Sequence, residues 1–359
     1  MADQKRIVVA MSGGVDSSVA AALLKKQGHE VIGMMLRLWS EPGRQAFNRC
    51  CTPEAMALAR RVAAQFEIPF YAVDIREPFY ETVISTFIDG YSQGITPNPC
   101  LTCNRSIRFG LLLDRALAIG ADYLATGHYA RLKTDPSGQI HLLRGQDQSK
   151  DQSYVLSVLN QEQLKHALFP VGEYQKHEIR EIALEFGLAI ANRPDSQDLC
   201  FLAGDDYRSF LQRHAPQISQ PGEFVNRAGE RLGSHQGLAN YTIGQRKGLG
   251  IAAANPLYVL EKIPANNTII LGTAEELQRS HLTVHSINWI SGRPPHAPFR
   301  ASVQIRYRSR EVDALLSPHG STAAAVKLDT PQRGITPGQA AVFYQGEECL
   351  GGGIIQLEY

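Results

Sequence analysis

The sequence predicts an α/β protein with a parallel-sheet domain over residues 1–204, a small α+β linker domain over 205–278 and a C-terminal β-barrel over 279–359. Three observations predict it. Short apolar, β-branched runs alternate with helical patterns through the first third of the chain. Near residue 205 the texture changes to brief segments punctuated by glycine and proline. From about residue 281 strand follows strand. Alternating strands and helices imply a parallel sheet covered on both faces. Consecutive strands separated by Pro and Gly turns imply a small barrel.

Each element follows in order. Ile7, Val8, Val9 and Ala10 make the first strand, and a glycine turn leads into a helix through Val19 and Leu24. Residues 31–36 are the second strand. Pro53 begins a helix that runs to about Phe66, and residues 70–74 are the third strand. A helix near 104–119 precedes a fourth strand at 123–126, after which the chain stays helical to about Gly187. Pro221, Gly222, Gly229, Gly233, Gly237 and the stretch 244–250 break the linker into short pieces. The barrel strands fall at 281–290, 300–316, 323–328, 340–344 and 351–357.

Composition bounds the function. A chain of 359 residues can bury a large core without disulfide or metal staples. The net charge is +1, so any affinity for a polyanion must come from local clusters. No apolar run approaches membrane-spanning length. The short apolar run after Lys5 and Arg6 enters a glycine turn, as a buried strand does and a signal peptide does not. The default location is the cytoplasm. Six cysteines in a chain of this length are not a secreted disulfide scaffold.

Residues 12–18 read Ser-Gly-Gly-Val-Asp-Ser-Ser between the first strand and the first helix. Glycines let backbone N–H groups approach phosphate closely, and the helix adds its positive end. Ser12, Ser17 and Ser18 supply hydroxyls. Asp16 would repel phosphate, which points to holding Mg²⁺ or fixing the loop. The plain alternative is a helix N-cap with turn glycines, and the pattern is not a Walker A loop. Here serines, aspartate and strand-to-helix position coincide. The motif resembles the SGGxDS loop of the N-type ATP pyrophosphatases, which cut ATP between the α and β phosphates and leave AMP on a substrate oxygen.

Cys100 and Cys103 form a C-x-x-C after Thr96, Pro97, Asn98 and Pro99. The prolines predict extended chain before Cys100. Cys103 is then expected near the first turn of the next helix, where a thiol pKa falls. Alone, the pair fits a redox motif, half a zinc site or part of an iron–sulfur site. Adjacent Cys50 and Cys51 suit a zinc ribbon poorly, and Cys349 reads as a packed cysteine of the last strands.

Taken together, several motifs resemble the MnmA family of tRNA-uridine 2-sulfurtransferases. They are the phosphate loop, the Thr96-Pro97-Asn98-Pro99 run with Cys103, Ala125-Thr126-Gly127-His128-Tyr129, Lys150-Asp151-Gln152-Ser153-Tyr154, the segment from Asp195 to Phe201 around Cys200, Gly244-Gln245-Arg246-Lys247-Gly248-Leu249-Gly250, and Cys349-Leu350-Gly351-Gly352-Gly353. The resemblance spans the chain and implies a PP-loop, adenine-nucleotide alpha-hydrolase-like first domain. It implies ATP and Mg²⁺ as cofactors, tRNA as substrate partner, and a protein that donates or relays persulfide sulfur. Cys200 matches the persulfide carrier and Cys103 the second catalytic cysteine. Some family members have aspartate where Cys100 stands, so three thiols fall near one site here, with an iron–sulfur cluster as the alternative. Nucleotide contacts are implied at Ala10, Met11, Ser12, Gly13, Gly14, Val15, Asp16, Ser17, Leu36 and Gly127. Contacts to tRNA are implied at Asn98, Pro99, Cys100, His128, Lys150, Asp151, Gln152, Arg306, Tyr307 and Gln339. At Asp151 the competing reading is a helix N-cap.

Arg306, Arg308 and Arg310 alternate with apolar residues in a strand-like pattern. Side chains two apart on a strand share a face, about 6.6 Å apart, near the spacing of successive phosphates. Arg246 and Lys247 offer a second basic contact. Two other readings compete: an amidating ATP pyrophosphatase, which leaves Cys103, Cys200 and the basic strand unexplained, and a non-catalytic RNA-binding protein, which leaves the intact loop unexplained.

Overall fold

The structure is a computed structural model and describes residues 4–43, 52–191, 193, 199–202 and 204–357. Cys50 and Cys51, and the part of the Cys200 motif at 195–198, lie outside the described residues.

Strands β1 (Arg6–Ala10), β2 (Glu30–Arg37), β3 (Phe70–Asp74) and β4 (Tyr123–Ala125) lie where the apolar runs place them. Further along come β5 (Ala130–Thr134), β6 (Ile140–Arg144) and β7 (Ala167–Leu168). The first sheet has the order β3-β2-β1-β4-β7, every pair parallel. The order reverses between β1 and β4, so a crevice opens beyond their carboxyl ends. The helices Val15–Lys26 and Pro53–Gln65 pack alanine-rich faces on β1 and β2, with Ala20, Ala21, Ala55 and Ala59 fully buried. Small side chains let helix and sheet approach closely.

The helix expected near 104–119 begins at Pro99 instead. Asn98 caps it, its side-chain oxygen accepting the Cys100 N–H at 3.1 Å, and Pro99 occupies the first helical position. Proline there starts the helix. Cys100 is consequently the first-turn thiol, and Cys103 opens the π-helical stretch Cys103–Leu112, which runs on into Leu113–Ala118. Wide-turn segments of this kind recur at functional sites.

Residues 130–144 are a β-hairpin rather than helix. Asp135 makes the turn, taking the N–H groups of Ser137 and Gln139, and Gly138 adopts φ +86°. That hairpin leaves the first sheet and joins the barrel, with β6 pairing to the last strand.

The middle sheet runs β10-β11-β8-β9, from β8 (Gly222–Val225), β9 (Arg231–His235), β10 (Tyr258–Ile263) and β11 (Thr268–Gly272). The barrel uses β12 (Gln278–Trp289), β13 (Phe299–Gln304), β14 (Val312–His319), β15 (Ala323–Arg333), β16 (Ala340–Gln345) and β17 (Glu348–Gln356). Its order is β12-β15-β14-β13-β16-β17-β6-β5, and β12 also pairs with β17 to close the ring. Alternate residues of these strands, among them Val303, Ala314, Val326 and Phe343, fill its core.

The single strand expected at 300–316 is two. β13 and β14 pair antiparallel with Val303 opposite Val312, so the chain reverses over 305–311, where Arg308 takes φ +63°. The shared-face argument for Arg306, Arg308 and Arg310 therefore fails: they stand in a turn.

Candidate active site

The crevice between β1 and β4 is a cleft of about 170 Å³. Ala10, Met11, Ser12, Gly14, Asp16 and Ser17 form one wall and Leu36 with Met34 and Leu38 another. Thr126, Gly127, His128, Gln152, Cys103 and Arg108 complete it. Of the other residues implied for the nucleotide, Val15 is buried in the core and Gly13 turns behind the loop.

Backbone geometry explains the glycines. Gly13 has φ +72°, and a Cβ there would meet the Ala55 carbonyl oxygen at 2.4 Å. A Cβ on Gly127 would lie 2.7 Å from the Ser17 nitrogen, so only glycine lets β4 close on the loop. Gly14 precedes the helix Val15–Lys26 without a side-chain cap, which leaves first-turn N–H groups for an anion. Ser17 Oγ accepts the Ser12 N–H at 3.1 Å and donates to the Gly14 carbonyl at 3.3 Å. From behind, the Arg193 guanidinium donates to the Gly13 carbonyl at 2.7 Å. Apolar side chains on one wall and loop amides and hydroxyls on the other fit the base and phosphates of an adenine nucleotide. The Ser18 hydroxyl, fully buried, has no hydrogen-bond partner among the described residues.

Asp16 is the loop's acid. Its Oδ1 accepts the Tyr129 hydroxyl at 2.7 Å and the Lys176 ammonium at 2.7 Å. Neither partner is visible in the loop motif, since they come from 113 and 160 residues away. An acid on a phosphate loop is a donor suited to Mg²⁺.

His128 is 5% exposed. Burial, with the Arg108 guanidinium beside it, pushes its pKa well below the usual histidine value. Arg108 Nη1 is 3.0 Å from Nε2, and an arginine only donates, so Nε2 accepts. The proton therefore sits on Nδ1 and is donated to Thr126 Oγ1 at 2.7 Å. Sequence reasoning missed Arg108, which no motif contains and which reaches the cleft wall and this ring only through the fold.

Cys103 lines the cleft, while Cys200 and Cys103 both pack against the aromatic cluster that includes Phe79, Phe87, Phe201 and Phe210. Cys100 is exposed, and no disulfide joins the described cysteines. Cys349 is fully buried and its thiol is pushed up to about 12, mainly by burial, so it is an inert packing residue. Among the described residues no group of three or more His, Cys, Asp or Glu side chains is set to hold a metal.

The residues implied for tRNA fall in several settings, and of them His128 and Gln152 line the cleft. Asn98 caps the Cys100 helix, Pro99 is buried beneath it, and Gln339 donates to the Thr96 carbonyl at 2.8 Å, joining barrel to loop. Gln152 lines the cleft and accepts the Tyr129 N–H at 3.0 Å. Asp151 is neither a solvated cap nor an open contact. Its carboxylate takes the Gly145 and Ser153 N–H groups, the Ser153 hydroxyl and the Arg144 guanidinium, with its side chain 7% exposed. Lys150 donates its backbone N–H to Asp147 within the same turn. Arg306 donates to the Gly334 carbonyl at 2.8 Å, and the Tyr307 ring lies 5.8 Å from that of Tyr154.

Comparison with known proteins identifies the family. Residues 5–204 match the family described as tRNA methyl transferase HUP domain, 208–273 the tRNA methyl transferase PRC-barrel domain, and 279–355 the aminomethyltransferase beta-barrel domain. The tRNA-specific 2-thiouridylase MnmA of Magnetococcus marinus is 46% identical over 357 residues, covering 99% of this chain and 100% of that protein. The tRNA-specific 2-thiouridylase MnmA of Desulfitobacterium hafniense is 47% identical over 366 residues, covering 99% of each. Among solved structures, the U34-tRNA thiolase NcsA from Methanococcus maripaludis shares 17% identity at a TM-score of 0.37, over 61% of this chain and 66% of that one. With near-complete coverage at this identity, the chain belongs to the MnmA family of tRNA-specific 2-thiouridylases.

Proposed function

We propose that the protein is an ATP-dependent tRNA sulfurtransferase that adenylates the 2-oxygen of the wobble uridine and replaces it with sulfur carried on Cys200. One observation carries the reading: Cys103 stands in the wall of the cleft beside the loop of residues 12–17, and it and Cys200 pack on the same aromatic cluster. A carbonyl oxygen is a poor leaving group. In the first step the uridine oxygen attacks the α-phosphorus, the bond to pyrophosphate breaks, and AMP is left on the base. The loop amides of residues 12–17 orient the phosphates, and the apolar wall around Met34 and Leu36 holds the base of the nucleotide. Mg²⁺, when bound, would be held through Asp16 and would supply charge neutralisation for the phosphates.

In the second step the terminal sulfur of a Cys200 persulfide attacks C2, the C2–O bond breaks, and AMP leaves. The base is then joined to Cys200 through two sulfurs. The Cys103 thiolate attacks Cys200 Sγ, the S–S bond breaks, and the outer sulfur stays on the base. A Cys103–Cys200 disulfide remains for an external thiol to reduce, and a persulfide donor or relay protein reloads Cys200. Neutral His128, locked between Arg108 and Thr126, orients its part of the wall without adding charge.

The test is ATP–pyrophosphate exchange with and without tRNA, joined to mass spectrometry of tRNA nucleosides from cells with and without the protein. Exchange that requires tRNA and loss of 2-thiouridine are expected. Exchange indifferent to tRNA would favour the amidating-ligase alternative.

A further inference from the structure

Asn98 and Asn104 flank the segment that carries Cys100 and Cys103, and both rest on one short helix from elsewhere in the chain. That helix, Ser153–Leu156, follows Gln152 of the cleft wall. Asn104 is 3% exposed, and its Nδ2 donates to the Val155 carbonyl at 3.1 Å. Its neighbour Cys103 lines the cleft. From the same helix Tyr154, 1% exposed, donates its hydroxyl to the barrel, to the Ala340 carbonyl at 3.0 Å. Burial pushes the pKa of that phenol up, while the Ala340 backbone, the Arg306 charge, the Asn98 side chain and the Tyr307 backbone pull it down. Groups from the barrel and from the cysteine loop therefore act on one oxygen, and the Tyr307 ring lies 5.8 Å from the Tyr154 ring. A phenol has one proton to give and two lone pairs to fill, so it can serve several such partners at once. The plain reading is a core tyrosine. Phenylalanine would fill the same apolar space with no hydroxyl to desolvate, so the hydroxyl is there as a tie.

We propose that Tyr154 is a positioning residue for sulfur transfer: through Asn98 at one end and Val155 with Asn104 at the other, it holds the segment carrying Cys103 in register with the barrel turn of Arg306 and Tyr307. The proposal rests on the two-step reading above. Adenylation uses the loop of residues 12–17, which this tie does not touch. Attack of the Cys103 thiolate on Cys200 Sγ depends on where the segment sits, since misplacing reacting atoms by about 1 Å can cost roughly a hundredfold in rate. The seating of RNA on the turn and the placement of the thiol then share one hydroxyl.

The experiment compares full-length wild-type, Tyr154→Phe and Asn104→Leu protein in two assays. Transfer of labelled AMP to tRNA is read without a sulfur source. Formation of 2-thiouridine is read by mass spectrometry over a single turnover of protein preloaded with inorganic polysulfide. Expected for Tyr154→Phe is a sulfur step slowed by about tenfold, the worth of one hydrogen bond, with AMP transfer and tRNA affinity within about twofold of wild type. Asn104→Leu removes the other tie at similar side-chain size and should give the same split, so it answers the question if Tyr154→Phe fails to fold. Equal losses in both steps, or no change in either, would show a packing residue alone and overturn the proposal while leaving the adenylation reading intact. Wild-type protein that moved no AMP to tRNA would instead overturn that reading, and this inference with it.

Discussion

The loop after β1 and the turn after β13 are both expected from sequence to meet phosphate, yet they are built on opposite principles. The loop draws its recognition from backbone amides of consecutive residues, held by one another through contacts such as Ser17 to Ser12 and Gly14. The turn draws its order from distant parts of the chain: Gly334 for Arg306 and Tyr154 for Tyr307. A backbone cradle is encoded where glycine and serine stand along the chain. A side-chain surface depends on which way each residue faces, and one left-handed residue, Arg308, resets that. Contiguous chemistry is therefore legible, and assembled chemistry is not.

The largest effects should fall on the cysteines, where the two principles meet. Cys200→Ser is expected to abolish thiolation while AMP transfer to tRNA continues, read by nucleoside mass spectrometry and retention of labelled AMP. Cys103→Ser should also stop turnover and leave persulfide on Cys200. Cys100→Ser should keep substantial activity, since that exposed thiol lies outside the cleft wall. Failure of all three together, with loss of bound iron, would put a cluster in place of the two-cysteine scheme.

Next comes the loop itself. Asp16→Ala should lower adenylation by roughly a hundredfold, as expected for a residue through which a charge-neutralising Mg²⁺ would be held. Binding of tRNA should stay within about threefold, because a short phosphate loop contributes little to an RNA interface. Parallel losses in a turnover assay and a binding assay would dissolve the contrast between loop and surface.

How much of the molecule is legible in the sequence follows the same division. The first four strands, the middle texture and most barrel strands lie close to their apolar runs because periodicity and burial coincide there. The hairpin β5–β6 departs from the helix that the sequence suggests. Its turn at Asp135 and Gly138 is a local signal, but its membership in the barrel depends on β17, some two hundred residues on. Pro99 misleads in the opposite sense, since Asn98 converts it from a breaker into a helix start. At the site, Ser12, Asp16 and Gly127 are visible as motif residues, whereas Lys176 and Arg108 gain meaning only through contacts across the fold.

For the turn after β13, a smaller and more graded effect is expected. Arg308→Ala should flatten the slope of log affinity for tRNA against log salt by about 0.7 to 0.9 for each phosphate it no longer neutralises. Arg306→Ala should do the same and also cost about 1 kcal/mol of stability, the worth of its bond to Gly334. An unchanged slope for both variants would place the RNA elsewhere on the barrel and make the turn a purely structural joint.

The smallest effect separates two histidines, one in the cleft and one where the hairpin meets the last barrel strand. His128 in the cleft is buried beside Arg108, so its folded pKa is depressed. The unfolded chain binds that proton first, and stability falls as pH drops below about 6.5, the ordinary histidine value. His141, where the hairpin meets β17, has the opposite sign. Its Nδ1 is 2.6 Å from Glu348 and its Nε2 is 3.4 Å from Asp135, and the hydrogen bond to Glu348 leads in raising its pKa. Its contribution is full below about pH 6.5 and is lost as pH rises through the raised folded value. His128→Gln should therefore flatten the acid side of the stability profile, and His141→Gln should remove an advantage that wild type holds only on that side. Urea midpoints of both variants and wild type from about pH 5 to about pH 8 would show it. The stability gap between wild type and variant should widen with rising pH for His128 and narrow for His141. Two gaps that move in the same direction would mean that cleft and joint do not titrate as separate regions.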